Sequence, residues 1–379
     1  MKMDRHNSVD KGWGHFFCTK PTRRITGLSL VELMVAITIG LIILTALTRL
    51  FVTSRSTYTL EEGLARVQEN ARFAMEFLAQ DIRMAGFSGC LGQGAPVSVR
   101  LNNPDDYLSK YSEPVSGHTY TGTGGSSLTD WTPALPGTVN GIIYFAANEV
   151  MPFTDIIVVR HGDETGFQVQ PPAMTTTAAA LQIPTSSGLE VGDILMVSDC
   201  KGGDVFQITG PANPDASGTL NHNAGAGTPG NTNQALSRSY GTDSTIMKLV
   251  TRIYYISKRG GSVTSTAAAA IPPALFRKEL DKNAFAVQEM VEGIERLQFS
   301  YGEDAESDKV PNYYRAANNV GSWPKVVTVR VGLLARTIEN VEANPDTRTY
   351  DLAGNSVEPF NDKARRRAFN STIHLRNHF

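Results

Sequence analysis

From Leu28 to Val52 the chain reads LSLVELMVAITIGLIILTALTRLFV, with Glu32 and Arg49 as its only charges and no proline. About 20 apolar residues in helical form cross a bilayer core, so this run predicts a membrane-spanning helix. The pattern then turns periodic without a break. Leu60, Leu64, Val67, Ala71, Ala74, Leu78, Ile82 and Ala85 recur at helical spacing, while Glu61, Glu62, Arg66, Glu69, Gln80 and Arg83 take the opposite face. No proline lies between Gly27 and Pro96, and Gly86 supplies a C-terminal stop. One helix over 28–85 is therefore expected, about 87 Å long at 1.5 Å per residue. Its second half has a short, Ala-rich stripe, which suits packing on a globular head better than a free coiled coil.

Past Gly86 the period changes to two. Gly141–Phe145, Asp155–Arg160, Ile194–Val197, Val205–Thr209 and Met247–Ile256 are β-branched or aromatic runs bounded by Gly, Pro or Asp. Ile194–Val197 and Val205–Thr209 read as a hairpin with Cys200 near its tip. Leu297, Phe299 and Tyr301 alternate, as do Val327, Val329, Val331 and Leu333, and Phe369, Ile373 and Leu375 share one face near the end. Such alternation predicts an antiparallel sheet with one face on the helix and one toward water. The polar, small-residue tracts at 86–140 and 211–245 are expected as long surface loops.

Composition and charge add a direction to this layout. The 379 residues are 41% apolar or aromatic and 19% charged, which permits a packed core and excludes wholesale disorder. Lys+Arg 35 against Asp+Glu 37 gives the whole chain no polybasic, nucleic-acid-binding character. The average conceals a basic start, because Lys2, Arg5, Lys11, Lys20, Arg23 and Arg24 face only Asp4 and Asp10 within residues 1–27. By the positive-inside rule these cations hold the N-terminus in the cytoplasm and send the rest across. A secretory signal peptide is the competing reading, but Thr53-Ser54-Arg55-Ser56 matches its cleavage site poorly and the apolar run is longer than usual. The three cysteines, Cys18, Cys90 and Cys200, are an odd number for an exported protein. Loss of the first 27 residues would leave Cys90 and Cys200 as a pair able to close a loop of about 110 residues, the alternative being two unrelated buried thiols.

Glu32 needs a reason. A carboxylate inside a membrane helix costs roughly 2.5–3.5 kcal/mol on insertion scales and is tolerated when it has a partner. Gly27-Leu28-Ser29-Leu30-Val31-Glu32, followed by an apolar helix, resembles the class III leader and N-terminal methylation motif of type IV pilins and type II secretion pseudopilins. The resemblance implies cleavage between Gly27 and Leu28 by a prepilin peptidase and N-methylation of Leu28. It also implies that Glu32 meets the N-terminal amine of a neighbouring subunit and sets the register of assembly. Leu28 stands where the family usually has Phe and, being apolar, is still expected to be processed.

Three further stretches resemble the PilW group of type IV pilus minor pilins: 291–302 (VEGIERLQFSYG), 323–331 (WPKVVTVRV) and 365–369 (RRRAF). Residues 82–87 leading to Cys90 do so too. The implied fold is α+β and pilin-like, one long N-terminal helix packed on an antiparallel β-sheet head with long loops. The implied organisation is a cleaved cytoplasmic leader at 1–27, a transmembrane and polymerisation half at 28–52, an amphipathic half at 53–85, and a periplasmic or surface head at 86–379. The implied function is initiation or capping of pilus assembly. Its partners would be prepilin peptidase, other minor pilins, the major pilin, the inner-membrane assembly platform and a tip adhesin. The alternatives are a J-like secretion pseudopilin and a membrane-tethered adhesin or enzyme head.

No catalytic residue, cofactor or metal is expected. None of His118, His161, His222, His374 and His378 falls in a HExxH or Cys/His metal spacing, and no GxSxG or P-loop pattern occurs; His374 and His378, four apart, would make a metal pair on a helix, but the local alternation reads as strand. Glu303–Asp308 lacks the glycine and ligand spacing of an EF-hand and is read as an ordinary solvated loop. Arg365-Arg366-Arg367 is too short a basic run to predict contact with DNA.

Overall fold

The computed structural model describes residues 29–377 except 93–94, 104–106, 108–109, 140–141, 226, 265–270 and 282–283. A single helix, α1, runs over Leu30–Met84. The described residues up to Thr57 form one unit, and those from Tyr58 onward belong to the compact head. The helix ends as its sequence requires: Gly86 adopts φ 75 and the Phe87 amide donates to Met84 O at 2.8 Å.

Two large sheets, with three two-stranded ones beside them among the described residues, build the head. The larger has nine strands, with Thr245–Lys258 at its centre. Ile156–Gln168 lies along one side of that strand, and Ile194–Ser198 and then Pro273–Asp281 share the other. The pairing is antiparallel throughout except where Val97–Val99 joins Gly203–Gln207 in parallel. The second sheet has four antiparallel strands in the order Tyr313–Arg315, Ile294–Glu303, Val326–Asn340, Ala364–His374. Its register places Leu297 opposite Leu333, Phe299 opposite Val331 and Tyr301 opposite Val329, so the alternating apolar residues fall on one face. Gly293, at φ 79, turns the chain from one sheet into the other, and a Cβ there would meet Arg336 O at 3.0 Å.

The main core lies between the helix and both sheets. Val67, Ala71, Ala74, Leu78, Ile82 and Ala85 are buried against residues such as Val159, Tyr254, Phe299 and Val331. The expected stripe is thus the packed face. Small Ala side chains along it let the helix backbone approach the sheets closely. A second cluster, including Trp131, Tyr144, Phe145 and Tyr255, fills the other face of the large sheet.

The tracts expected as surface loops differ from that expectation. Residues 86–140 contain Val97–Val99, Val115–Tyr120 and Trp131–Thr132, and Leu101, Tyr111, Trp131 and Leu135 are buried. Val97–Val99 and Trp131–Thr132 are too short for a period of two to register, and Val115–Tyr120 buries Ser116, Gly117 and His118 in place of an alternating apolar set. In 211–245 the three large residues, Leu220, Leu236 and Tyr240, are all buried. Polar side chains tie this tract down: the Asp204 carboxylate accepts from Arg100 Nε (2.9 Å), Ser237 N (2.9 Å) and Tyr240 Oη (2.7 Å). Asn231 and Gln207 bond reciprocally, Gln207 N to Asn231 Oδ1 and Asn231 Nδ2 to Gln207 O, each at 2.8 Å. Buried polar groups satisfied in this way hold irregular backbone in place without a ladder.

Candidate functional site

Every residue from Ser29 to Tyr58 is exposed, including Leu30 at 75% and Phe51 at 69%. The most apolar 18-residue window in α1 has a mean hydropathy of 2.5. A continuous apolar surface of this extent requires lipid or neighbouring helices around it. Its few hydroxyls are already satisfied, since Thr38, Thr45 and Thr48 donate to Val35 O (2.9 Å), Leu41 O (2.7 Å) and Leu44 O (2.8 Å). That leaves the segment compatible with a medium lacking hydrogen-bond partners.

Gly27 and Leu28 lie outside the described residues. Glu32 sits in the first turn of α1, exposed, and its amide donates to Ser29 Oγ at 3.2 Å while Leu33 N donates to Ser29 O at 3.1 Å. Ser29 is therefore the N-cap, and Ser-x-x-Glu is the spacing of a capping box. The signal was in the sequence and gives Glu32 a local role, favourable at the positive end of the helix, beside the intersubunit role expected above.

Cys90 and Cys200 are bonded, with Cα atoms 4.9 Å apart and a separation of 110 positions in sequence. The bridge ties the chain just beyond α1 to the hairpin of Ile194–Ser198 and Gly203–Gln207. Met196, Val205 and Met247 pack in the cluster beneath, with Phe87 and Leu91 against it. Beside it, Arg238 Nη1 donates to Asp199 at 3.2 Å. On the helix itself, Asp81 is buried and accepts from Arg252 Nη1 (2.8 Å) and Tyr254 Oη (2.6 Å). Sequence reading did not single out Asp81; a carboxylate three residues from Leu78 and one from Ile82 was its only signal.

The remaining charged motifs have structural employment. Arg366 is buried and bonds Glu295 (2.6 Å), Asp362 (2.5 Å) and Asp346 (3.4 Å), while Arg365 pairs with Glu342 at 2.7 Å. The arginine run thus fixes the last strand internally. In the 303–308 loop, Asp304 accepts from the amides of Glu306, Ser307, Asp308 and Lys309, so its carboxylate is spent on its own turn. His118 and His222 are buried and bonded to backbone carbonyls, and burial pushes His118 down to about 4. His374 is exposed at the end of the last strand, and His378 lies outside the described residues.

Residues 253–377 match the family model described as type IV pilus-assembly protein W. Residues 22–48 match the prokaryotic N-terminal methylation motif. Over these two segments the chain is similar to PilW-type pilins. The PilW region takes in the whole four-stranded sheet and, of the larger one, the end of the central strand with Pro273–Asp281 and Ala284–Glu292, and the methylation motif takes in Gly27, Leu28 and Glu32. No curated protein and no solved structure gives a match. With the apolar helix and the largely β head, the two matches point toward a type IV pilus minor pilin.

Proposed function

We propose that the protein helps to initiate or cap a type IV pilus. It is made with its N-terminus in the cytoplasm, cut after Gly27 by prepilin peptidase, methylated at Leu28, and drawn from the inner membrane into a complex with other minor pilins, the major pilin and the assembly platform. The observation that carries this reading is the contrast along α1. From Val67 onward its apolar face is buried in the head, whereas Leu30–Val52 presents large apolar residues that nothing among the described residues covers. Lipid covers that surface before assembly, and neighbouring helices cover it afterwards. In the second setting an unpaired carboxylate is strongly penalised, so Glu32 pairs with the amine at Leu28 of a neighbour and sets the axial register.

Two variants separate this role from helix capping. Glu32→Ala removes both functions, while Glu32→Gln keeps a capping-box side chain and removes the charge. Both are expected to accumulate in the membrane yet to fall at least about tenfold in sheared filaments. Normal incorporation of Glu32→Gln would assign the residue to capping alone. N-terminal sequencing of filament material is expected to begin at methylated Leu28, and a retained 27-residue leader would overturn the scheme.

A further inference from the structure

The head contains a cleft of about 390 Å³ that none of the interactions above explains. Three aromatic rings wall it, Tyr120, Phe153 and Phe360. Phe153 is 44% exposed, with its ring 5.0 Å from that of Tyr120, and its backbone is left-handed at φ 60. A bulky non-glycine residue in that region is strained, and such strain persists only where the surroundings impose it. Here they do. Arg296 Nη1 donates to Pro152 O and Gln298 Nε2 to Phe153 O. Trp131 Nε1 donates to Thr154 O at 2.8 Å and Thr154 Oγ1 to Met151 O at 2.8 Å. Four hydrogen bonds therefore hold a half-exposed aromatic ring at the cleft, in a backbone conformation that is unfavourable for a bulky residue.

The Arg296 guanidinium carbon lies 4.8 Å from the centre of Phe153 and 5.4 Å from that of Phe360, which braces the two rings. The rest of the lining includes the amides of Gln298 and Asn355 and the carboxylate of Glu358. We propose that this cleft binds a pyranose ring of a polysaccharide. A sugar ring offers a C–H face to an aromatic surface and a rim of hydroxyls that both donate and accept, the complement of side-chain amides and a carboxylate. Arg296 and Glu358 balance in charge, so a neutral hexose suits the cleft, and an acidic peptide would be repelled by Glu358.

The test uses the full-length protein in a zwitterionic detergent, since a sugar headgroup would compete. Saturation-transfer NMR is recorded with glucose, galactose, mannose and N-acetylglucosamine, and with a capped tetra-aspartate peptide as the other class. Saturable transfer to the ring protons of at least one sugar is expected, weakened at least about tenfold in Phe153→Gly. Glycine accepts the positive φ, so this variant is expected to melt within about 5 °C of the wild type. Asn355→Ala alters an exposed side chain and is expected to weaken binding with no change in melting. Absence of saturable transfer from all four sugars, undiminished binding by both variants, or transfer to the peptide in place of a sugar would each overturn the proposal.

Discussion

Removing the Cys90–Cys200 bond should destabilise the head through its unfolded state. The bond joins positions 110 apart in sequence, and on the chain-entropy relation such a cross-link is worth about 5 kcal/mol at 25 °C. The native contacts around it should survive the loss. Gly203 N donates to Pro96 O at 3.0 Å, Val97–Val99 pairs with Gly203–Gln207, and Leu91, Val97 and Val205 pack in one apolar cluster. The change is therefore expected to appear as a more expanded unfolded chain and not as a displaced hairpin. Urea titration of the full chain in detergent, followed by tryptophan fluorescence, measures both terms. Cys90→Ala, Cys200→Ala and the double variant should each lose about 3–5 kcal/mol, equally, because each removes the same bond, and their m-values should rise. A loss under about 1 kcal/mol with unchanged m would refute the argument. So would a double variant whose loss is the sum of the two singles, since that would place the cost in separate side-chain contacts.

Two further outcomes concern the interior of the head. Lys278 Nζ lies 2.7 Å from Glu149 Oε1 and donates to Tyr144 O, deep under the Phe145 and Tyr255 rings; Lys278→Met should cost about 3–5 kcal/mol in denaturant titration by leaving a buried carboxylate unpaired, and adding Glu149→Gln should restore part of it. Burial raises Asp155 to about 7 even though its carboxylate accepts from Phe299 N and Tyr120 N. The folded state thus keeps a proton that the unfolded chain releases near pH 4, so this group's contribution is full below pH 4 and is lost as pH rises through about 7. His118, held near 4, acts in the opposite sense, its contribution being lost as pH falls below about 6.5. The difference in stability between wild type and Asp155→Asn across this range isolates the carboxyl. A flat difference would show that Asp155 is ionised in the folded head.

Much of the fold could be read along the chain, and the reason is the range of the interactions involved. The apolar run, the stripe from Val67 to Ala85 and the Gly86 stop depend on neighbours three or four residues away, and the structure reproduces them as one helix, Leu30–Met84. The alternation in 297–301 and 327–333 likewise belongs to long strands whose pairing only had to match apolar faces. Parity of the cysteines was enough to suggest their bond. The polar residues were harder to place. Asp81 finds Arg252 across 171 residues, Arg366 finds Glu295 across 71, and Val97–Val99 pairs with a strand more than a hundred residues later. A side chain with so distant a partner looks, in its own neighbourhood, like any solvated charge. For that reason 86–140 and 211–245 read as loops until folding brought Asp204, Asn231 and Tyr240 together. The braced, outward-facing ring of Phe153 belongs to the same class: it exists only where the 151–154 turn, Trp131 and Arg296 meet.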